Sequence, residues 1–160
     1  MRTLLFLLLA ATASAQPWLT QKLLVVPGKS IGLIRLGKPV PRAAYQQLGK
    51  PSSASDVSKN TSTDGAAIEW LGSKGPYIRV KCHDGNRPEN VFQVFWTAPG
   101  PRTAEGIGIG STAAQVRAKY PKGKSGEPYL DADETWSIPG LTMVLDGKNG
   151  KVVEMNLHNP

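Results

Sequence analysis

Apolar and polar positions along the chain fall into two stretches that read alike. Residues 31–50, IGLIRLGKPVPRAAYQQLGK, and 103–120, TAEGIGIGSTAAQVRAKY, each run from a short apolar β-bridge ending in glycine, through a turn, into one compact amphipathic helix. In the first, Pro41 suits the first helical position, Ala44, Tyr45 and Leu48 share one face, and Gly49 followed by Pro51 supplies the stop. In the second, Thr112 and Gln115 have the spacing of a capping box, Ala113, Val116 and Tyr120 make an inward stripe, and Pro121 ends the helix. Helices this short persist only when tertiary packing holds them.

A polar stretch follows each helix, residues 51–65 and 122–128, and both are expected to be exposed loops. Three strand-like runs come next in each half: 67–71, 77–82 and 91–97, then 135–138, 141–145 and 152–157. A marginal strand, 23–26, precedes them all. Ile78, Val80 and Cys82 alternate with Arg79 and Lys81, the pattern of an antiparallel strand wet on one face. Asp84-Gly85 and the DGKNG of residues 146–150 mark hairpin connections, and Ala98-Pro99-Gly100-Pro101 breaks the chain between the halves. The pattern predicts an α+β fold of two tandem α-β-β-β repeats, with both short helices on one face of an antiparallel sheet. The expected organisation is a leader over 1–15, a first repeat with its N-terminal strand over 16–100, and a second repeat over 101–160.

The leader, MRTLLFLLLAATASA, has one charge at Arg2, an apolar run and an Ala13-Ser14-Ala15 cleavage signal, which identify a secretory signal peptide. Its apolar run is too short to span a bilayer, which needs roughly 20 residues. The expectation is an exported protein, periplasmic or extracellular, with no transmembrane segment in the mature chain. A single cysteine, Cys82, rules out an intrachain disulfide, so the fold must stand on packing. The formal charge of +7, or +6 without Arg2, is scattered rather than clustered. Such a chain is drawn to anionic lipids, wall polymers or acidic protein faces, whereas nothing in it suggests a nucleic-acid fold.

Candidate chemistry changes this picture little. Cys82, His83 and Asp84 are the parts of a thiol nucleophile site, but successive strand residues point to opposite faces. Two histidines, His83 and His158, and one cysteine are too few for zinc, and Asp131, Asp133 and Glu134 lack the glycine and distal glutamate of a calcium loop. Gly28-Lys29-Ser30 and Gly123-Lys124-Ser125 lack the upstream glycine of a phosphate loop, and Gly106, Gly108 and Gly110 have the wrong spacing for a dinucleotide fingerprint. No catalytic residues, metal or cofactor are therefore expected. The four tryptophans stand apart. Trp70 and Trp136 occupy equivalent places on the first strand after each polar loop. Pointing inward they are core; pointing outward, with Arg79 and Lys81 nearby, they make an aromatic and basic binding face.

The second half, GIGIGSTAAQVRAKYP followed by WSIPGLTMVLDGKNGKVVEMNLH, resembles a helix-plus-sheet module of bacterial envelope proteins. That module occurs in the small lipoprotein of the outer-membrane barrel-assembly machine and, doubled, in the β-lactamase inhibitory protein. The resemblance lies in glycines and apolar positions; this chain has no cysteine to acylate at its cleavage point, and no contact residue carries over by position. Together with the paired tryptophans and the absence of catalytic clusters, it points to a non-enzymatic module that binds another envelope or extracellular protein through an open sheet face; the strand pattern, not the resemblance, offers Trp70, Trp136, Arg79 and Lys81 as the binding residues. The alternative is a cationic module for anionic cell-wall polymer or a lipid surface. A third reading, an enzyme using Cys82, requires a thiol that reacts in the native protein.

Overall fold

A computed structural model of the chain describes residues 22–54, 66–71, 76–84, 87–126 and 134–160. The leader, Trp18, Asp131 and Asp133 lie outside the described residues. In chain order the elements are β1 (Leu24–Val26), β2 (Ser30–Ile31), β3 (Ile34–Arg35), α1 (Arg42–Leu48), β4 (Ser53–Ala54), β5 (Ala66–Leu71), β6 (Tyr77–Asp84) and β7 (Arg87–Trp96). Then come β8 (Arg102–Thr103), α2 (Ala113–Lys119), β9 (Lys124–Gly126), β10 (Glu134–Ile138), β11 (Leu141–Leu145) and β12 (Val152–His158).

The strands form two unequal sheets. A four-stranded sheet has the order β3-β2-β1-β8, and an eight-stranded sheet the order β4-β5-β6-β7-β12-β11-β10-β9. Two symmetric α-β-β-β repeats are therefore not what the chain forms. Each helix is followed by four strands of the large sheet rather than three, and β1, β2, β3 and β8 make a separate sheet that the repeat scheme does not contain. Corresponding strands also differ in length: β5, β6 and β7 have 6, 8 and 10 residues, while β10, β11 and β12 have 5, 5 and 7. The physical reason is that a strand of two or three residues is too short to show a period. Residues 124–126, expected as exposed loop, are indeed exposed but form the edge strand β9 beside β10.

The small sheet joins the two halves of the chain. β8, just past Pro101, runs parallel to β1, pairing Leu24 with Arg102 and Val25 with Thr103. Its other end is tied to the large sheet where the turn after β1 meets the turn after β10: the Gly28 N–H donates to the Gly140 carbonyl at 3.1 Å. A Cβ on Gly140 would lie 2.2 Å from the Gly28 Cα, so only glycine permits the approach. One hydrophobic cluster runs from Leu23 and Val25 through the large sheet to Met155 and Leu157.

Both helices begin and end much as their sequences suggest. α2 carries a complete capping box between Thr112 and Gln115, whereas Pro41 caps α1 without a side-chain hydrogen bond. Each is approached by a positive-φ glycine that docks on a strand: the Gly37 N–H donates to the Val91 carbonyl at 2.7 Å, and the Gly110 N–H to that of Val152 at 2.8 Å. Beside both docking points the strand register slips by one residue, leaving Phe92 extra on β7 and Val153 extra on β12. Such bulges bend and twist the strands that carry them.

The helices cover one face of the large sheet. In-register neighbours across it are Trp70, Ile78, Trp96, Met155, Met143 and Trp136, and all but Trp136 are fully buried. α1 sits over the Trp70 end, where the Tyr45 ring lies 5.8 Å from the Trp70 ring. α2 sits over the Trp136 end, where the indole N–H donates to the Tyr120 carbonyl at 3.1 Å.

Candidate functional site

The opposite face of the large sheet carries no helix. Because side chains alternate along a strand, the residues between the buried ones form ladders there. One reads Glu69, Arg79, Phe95, Asn156, Thr142 and Ser137; on one side lie Lys81 and Gln93, on the other Glu154, Val144 and Thr135. Some of these side chains, Lys81, Gln93, Phe95, Thr142, Glu154 and Asn156 among them, line a depression of about 260 Å³.

The four residues expected to bind are not brought together. Trp70 is fully buried on the helix face, and its indole N–H donates to the Gly49 carbonyl at 2.8 Å, closing the end of α1. Trp136 lies on the same face, wedged against Gly123, with the Arg117 guanidinium 5.5 Å over its ring. Arg117 in turn bonds both carboxylate oxygens of Glu134 at 2.5 and 2.6 Å. Arg79 and Lys81 point the other way. Each tryptophan shares its ladder with fully buried residues, so the strand period itself separates the indoles from the two cations.

The open face holds most of its polar groups in defined partnerships. Arg79 pairs with Glu69 and lies 5.9 Å over the Tyr77 ring. The Tyr77 hydroxyl donates to Glu154, and burial together with that bond raises its pKa well above the ordinary phenol range. Lys81 differs: its ammonium rests 5.3 Å over the Phe95 ring, and among the described residues it meets no carboxylate. The Asn156 Oδ1 is shielded from solvent and accepts no hydrogen bond from the described residues. Such an acceptor costs about 1–3 kcal/mol unless something donates to it.

A chain of hydroxyls borders the depression. The carbonyl of Asn159 can only accept, so in the tautomer that satisfies both bonds the His158 ring donates to it from Nδ1 at 2.7 Å and accepts at Nε2 from the Thr142 hydroxyl at 3.2 Å. Thr142 then accepts from Ser137 at 3.0 Å. Its hydrogen is committed to His158, and it offers the depression a lone pair. The depression thus has a cation at the Lys81 end, acceptors at Asn156, Thr142 and Glu154, and an apolar floor from Phe95 and Val144.

Sequence reading found Arg79 and Lys81 but missed Phe95, Gln93, Thr142, Glu154 and Asn156. The signal was the same alternation, since Asn156 stands between Met155 and Leu157 and Thr142 between Leu141 and Met143. Which strands neighbour one another was the missing step.

The thiol reading loses its nucleophile. Cys82 is buried on the helix face, and burial pushes its pKa up to about 11. Among the described residues no three His, Cys, Asp or Glu side chains gather as a metal site would require, and no helix is long and apolar enough to cross a membrane. A second hollow, about 540 Å³ and mostly apolar, lies between β1 and the β7–β8 connection, lined by Leu23, Leu24, Pro99 and Arg102 among others. It gathers no comparable set of polar groups.

No known family's sequence pattern matches this chain, and no curated protein matches it. Among solved structures it is similar to an extracellular protein containing a SCP domain from Bacillus anthracis str. Ames, with 11% sequence identity and a TM-score of 0.48. The match covers 84% of this chain and 44% of that one, so the chain spans less than half the length of that protein.

Proposed function

We propose that this chain is an exported, non-enzymatic binding module that engages another envelope or extracellular protein through the helix-free face of its large sheet. The carrying observation is the depression on that face, where Lys81 rests over Phe95 and meets no carboxylate among the described residues, while Arg79 and Glu154 on the same face are already paired. Charged groups held in place by neighbours on a helix-free face are an arrangement by which interfaces set orientation and partner choice. The leader's composition supports export, and the resemblance to envelope helix-plus-sheet modules supports the reading as a fold-level analogy only.

Phe95 and Arg117 provide the test, since Phe95 lies on the open face and Arg117 over the helix face. The immobilised protein, its Phe95→Ala variant and its Arg117→Ala variant are offered native envelope extract and culture medium at low and high salt. The reading expects one protein retained at high salt, lost with Phe95→Ala and kept with Arg117→Ala, the variants having unchanged far-UV circular dichroism. Capture indifferent to Phe95→Ala overturns it. Retention of anionic polymer or lipid alone, abolished by high salt, transfers the function to the electrostatic alternative.

A further inference from the structure

His158 stands on the helix-free face, half-buried and in register with Gln93, and its ring is tied at both nitrogens. We propose that the hydrogen-bond chain Ser137–Thr142–His158–Asn159 is a pH switch of that face: a second proton on His158 reverses the chain, turns Thr142 from an acceptor into a donor at the depression, and strengthens the hold of the face on acceptor and anionic groups of a partner. This rests on the binding-module reading and adds its regulation.

The polarity of the chain follows from one fixed end. The Asn159 carbonyl only accepts, so Nδ1 donates to it at 2.7 Å in either charge state. The proton that a histidine gains or loses between pH 5 and 8 is then the one on Nε2. With Nε2 bare, the Thr142 hydroxyl donates to it at 3.2 Å, accepts from Ser137 at 3.0 Å, and has a lone pair left for the depression it lines. With Nε2 protonated, that N–H donates to Thr142 Oγ1 instead. The Thr142 hydrogen is released to Ser137 Oγ or to a group entering the depression. The reversal needs only hydroxyl hydrogens to rotate about their C–O bonds, so the heavy atoms stay where they are.

The groups around the ring set the sign of the effect. Among the described side chains, β7 presents Gln93 to it and β6, one strand further along the same row, presents Lys81. β11 presents Thr142 and β10 Ser137, both uncharged. On the same strand and face Glu154 is four residues away and bonded by Tyr77, while Arg79 is paired with Glu69. A proton on His158 therefore adds positive charge to the row that holds Lys81 at the moment when Thr142 gains a hydrogen to donate. Both changes favour an incoming acceptor or anion, and both are withdrawn together as the pH rises.

The test reads the chain first and its consequence second. In the isotope-labelled protein, NMR follows the His158 ring nitrogens and the Cβ signals of Thr142 and Ser137 from pH 8 to pH 5. Nδ1 should stay protonated throughout, Nε2 alone should gain a proton, and both hydroxyl residues should move with the midpoint of the ring. In Thr142→Val the ring should still titrate while Ser137 no longer follows it. A neutral ring that carries its proton on Nε2, or hydroxyl residues that ignore the ring, overturns the switch. Methanesulfonate, an acceptor-only anion whose charge is constant over this range, is then titrated at pH 5.5 and 7.5 while the Gln93 side-chain amide is observed. It should bind about threefold more tightly or better at pH 5.5, the order of effect one added charge has at a wet surface, and His158→Gln should erase the difference. Equal affinity at the two pH values, or no response at either, overturns the proposal. A protein partner held through Phe95 equally at both pH values overturns the switch alone; capture indifferent to Phe95→Ala overturns the module reading beneath it.

Discussion

Trp70 and Trp96 are both fully buried, both lie on the helix face and are joined through Ile78 in one ladder, yet their indole nitrogens differ. The Trp70 N–H donates to the Gly49 carbonyl at 2.8 Å, while the Trp96 N–H has no partner among the described residues. Replacing each with phenylalanine removes the same atoms from equally buried sites, so the cavity and transfer costs largely cancel in the comparison. At Trp70 the change also removes a hydrogen bond worth about 1 kcal/mol; at Trp96 it removes an unsatisfied donor that costs about 1–3 kcal/mol. Trp70→Phe should therefore be the less stable variant by about 2 kcal/mol or more. That difference corresponds to roughly 1 M in urea midpoint, or about 4–8 °C in melting temperature for a domain near this size. Far-UV circular dichroism is the right signal, because each variant loses a fluorophore. Equal midpoints, or a less stable Trp96→Phe, would refute the hydrogen-bond assignment and place an acceptor or water against the Trp96 N–H. The same burial means that Trp70→Ala costs about 3–5 kcal/mol, so lost binding in that variant would report unfolding rather than a missing contact.

Further predictions concern Cys82, Tyr120, Gly140 and Thr112. Native Cys82 should resist thiol alkylation at pH 8 and react on unfolding; because its folded pKa of about 11 exceeds the unfolded value, the stabilisation it gives is complete below about pH 8.5 and lost as pH rises through 11. Tyr120, pushed up to about 12 largely by burial, acts in the same direction, so the urea midpoint should fall steadily above pH 9, and a rise there would refute the assignment. Gly140→Ala should cost about 2–3 kcal/mol more than Gly150→Ala in thermal unfolding: both glycines have positive φ, but a Cβ at Gly140 meets the Gly28 backbone and one at Gly150 meets nothing within 4 Å. Thr112→Ala should lower stability by about 0.5–2 kcal/mol through the lost α2 cap, measured by chemical denaturation.

Elements with a long period or explicit punctuation were legible in the sequence. The cap at Thr112 and Gln115, the stop at Gly49 and the alternating runs that became β6, β11 and β12 each leave a local mark, because a single residue type or a period of two suffices to specify them. β2, β3 and β8 are two residues each: the apolar run 31–36 reads as a short β-bridge, but so few residues show no period that would divide it into two strands or pair them. They form because Gly28, Gly32 and Gly106 turn the chain tightly and because β1 offers an edge on each side, which are properties of the folded neighbourhood. Reading two symmetric repeats out of the similar helix approaches failed for this reason: the likeness is local to residues 31–50 and 103–120, while the strands between and before them assemble a second sheet.

The candidate site was half legible for a related reason. Alternation along β6 put Arg79 and Lys81 on one side and Ile78, Val80 and Cys82 on the other, but assigning Trp70 and Trp136 to either side needs the register between strands. That register pairs Trp70 with Ile78 and Trp136 with Met143, both fully buried, and so sends the indoles to the helix face. A one-residue slip of β5 against β6 would have reversed the assignment. The turn dipeptides do not prevent such a slip; the buried set does, since moving Ile68 and Trp70 outward would place Ala67 and Glu69 under α1. Burying Glu69 without a partner would cost several kcal/mol, whereas on the open face it neutralises Arg79 and leaves Lys81 as the charge at the depression. The core packing that hides the tryptophans is therefore what arranges the open face.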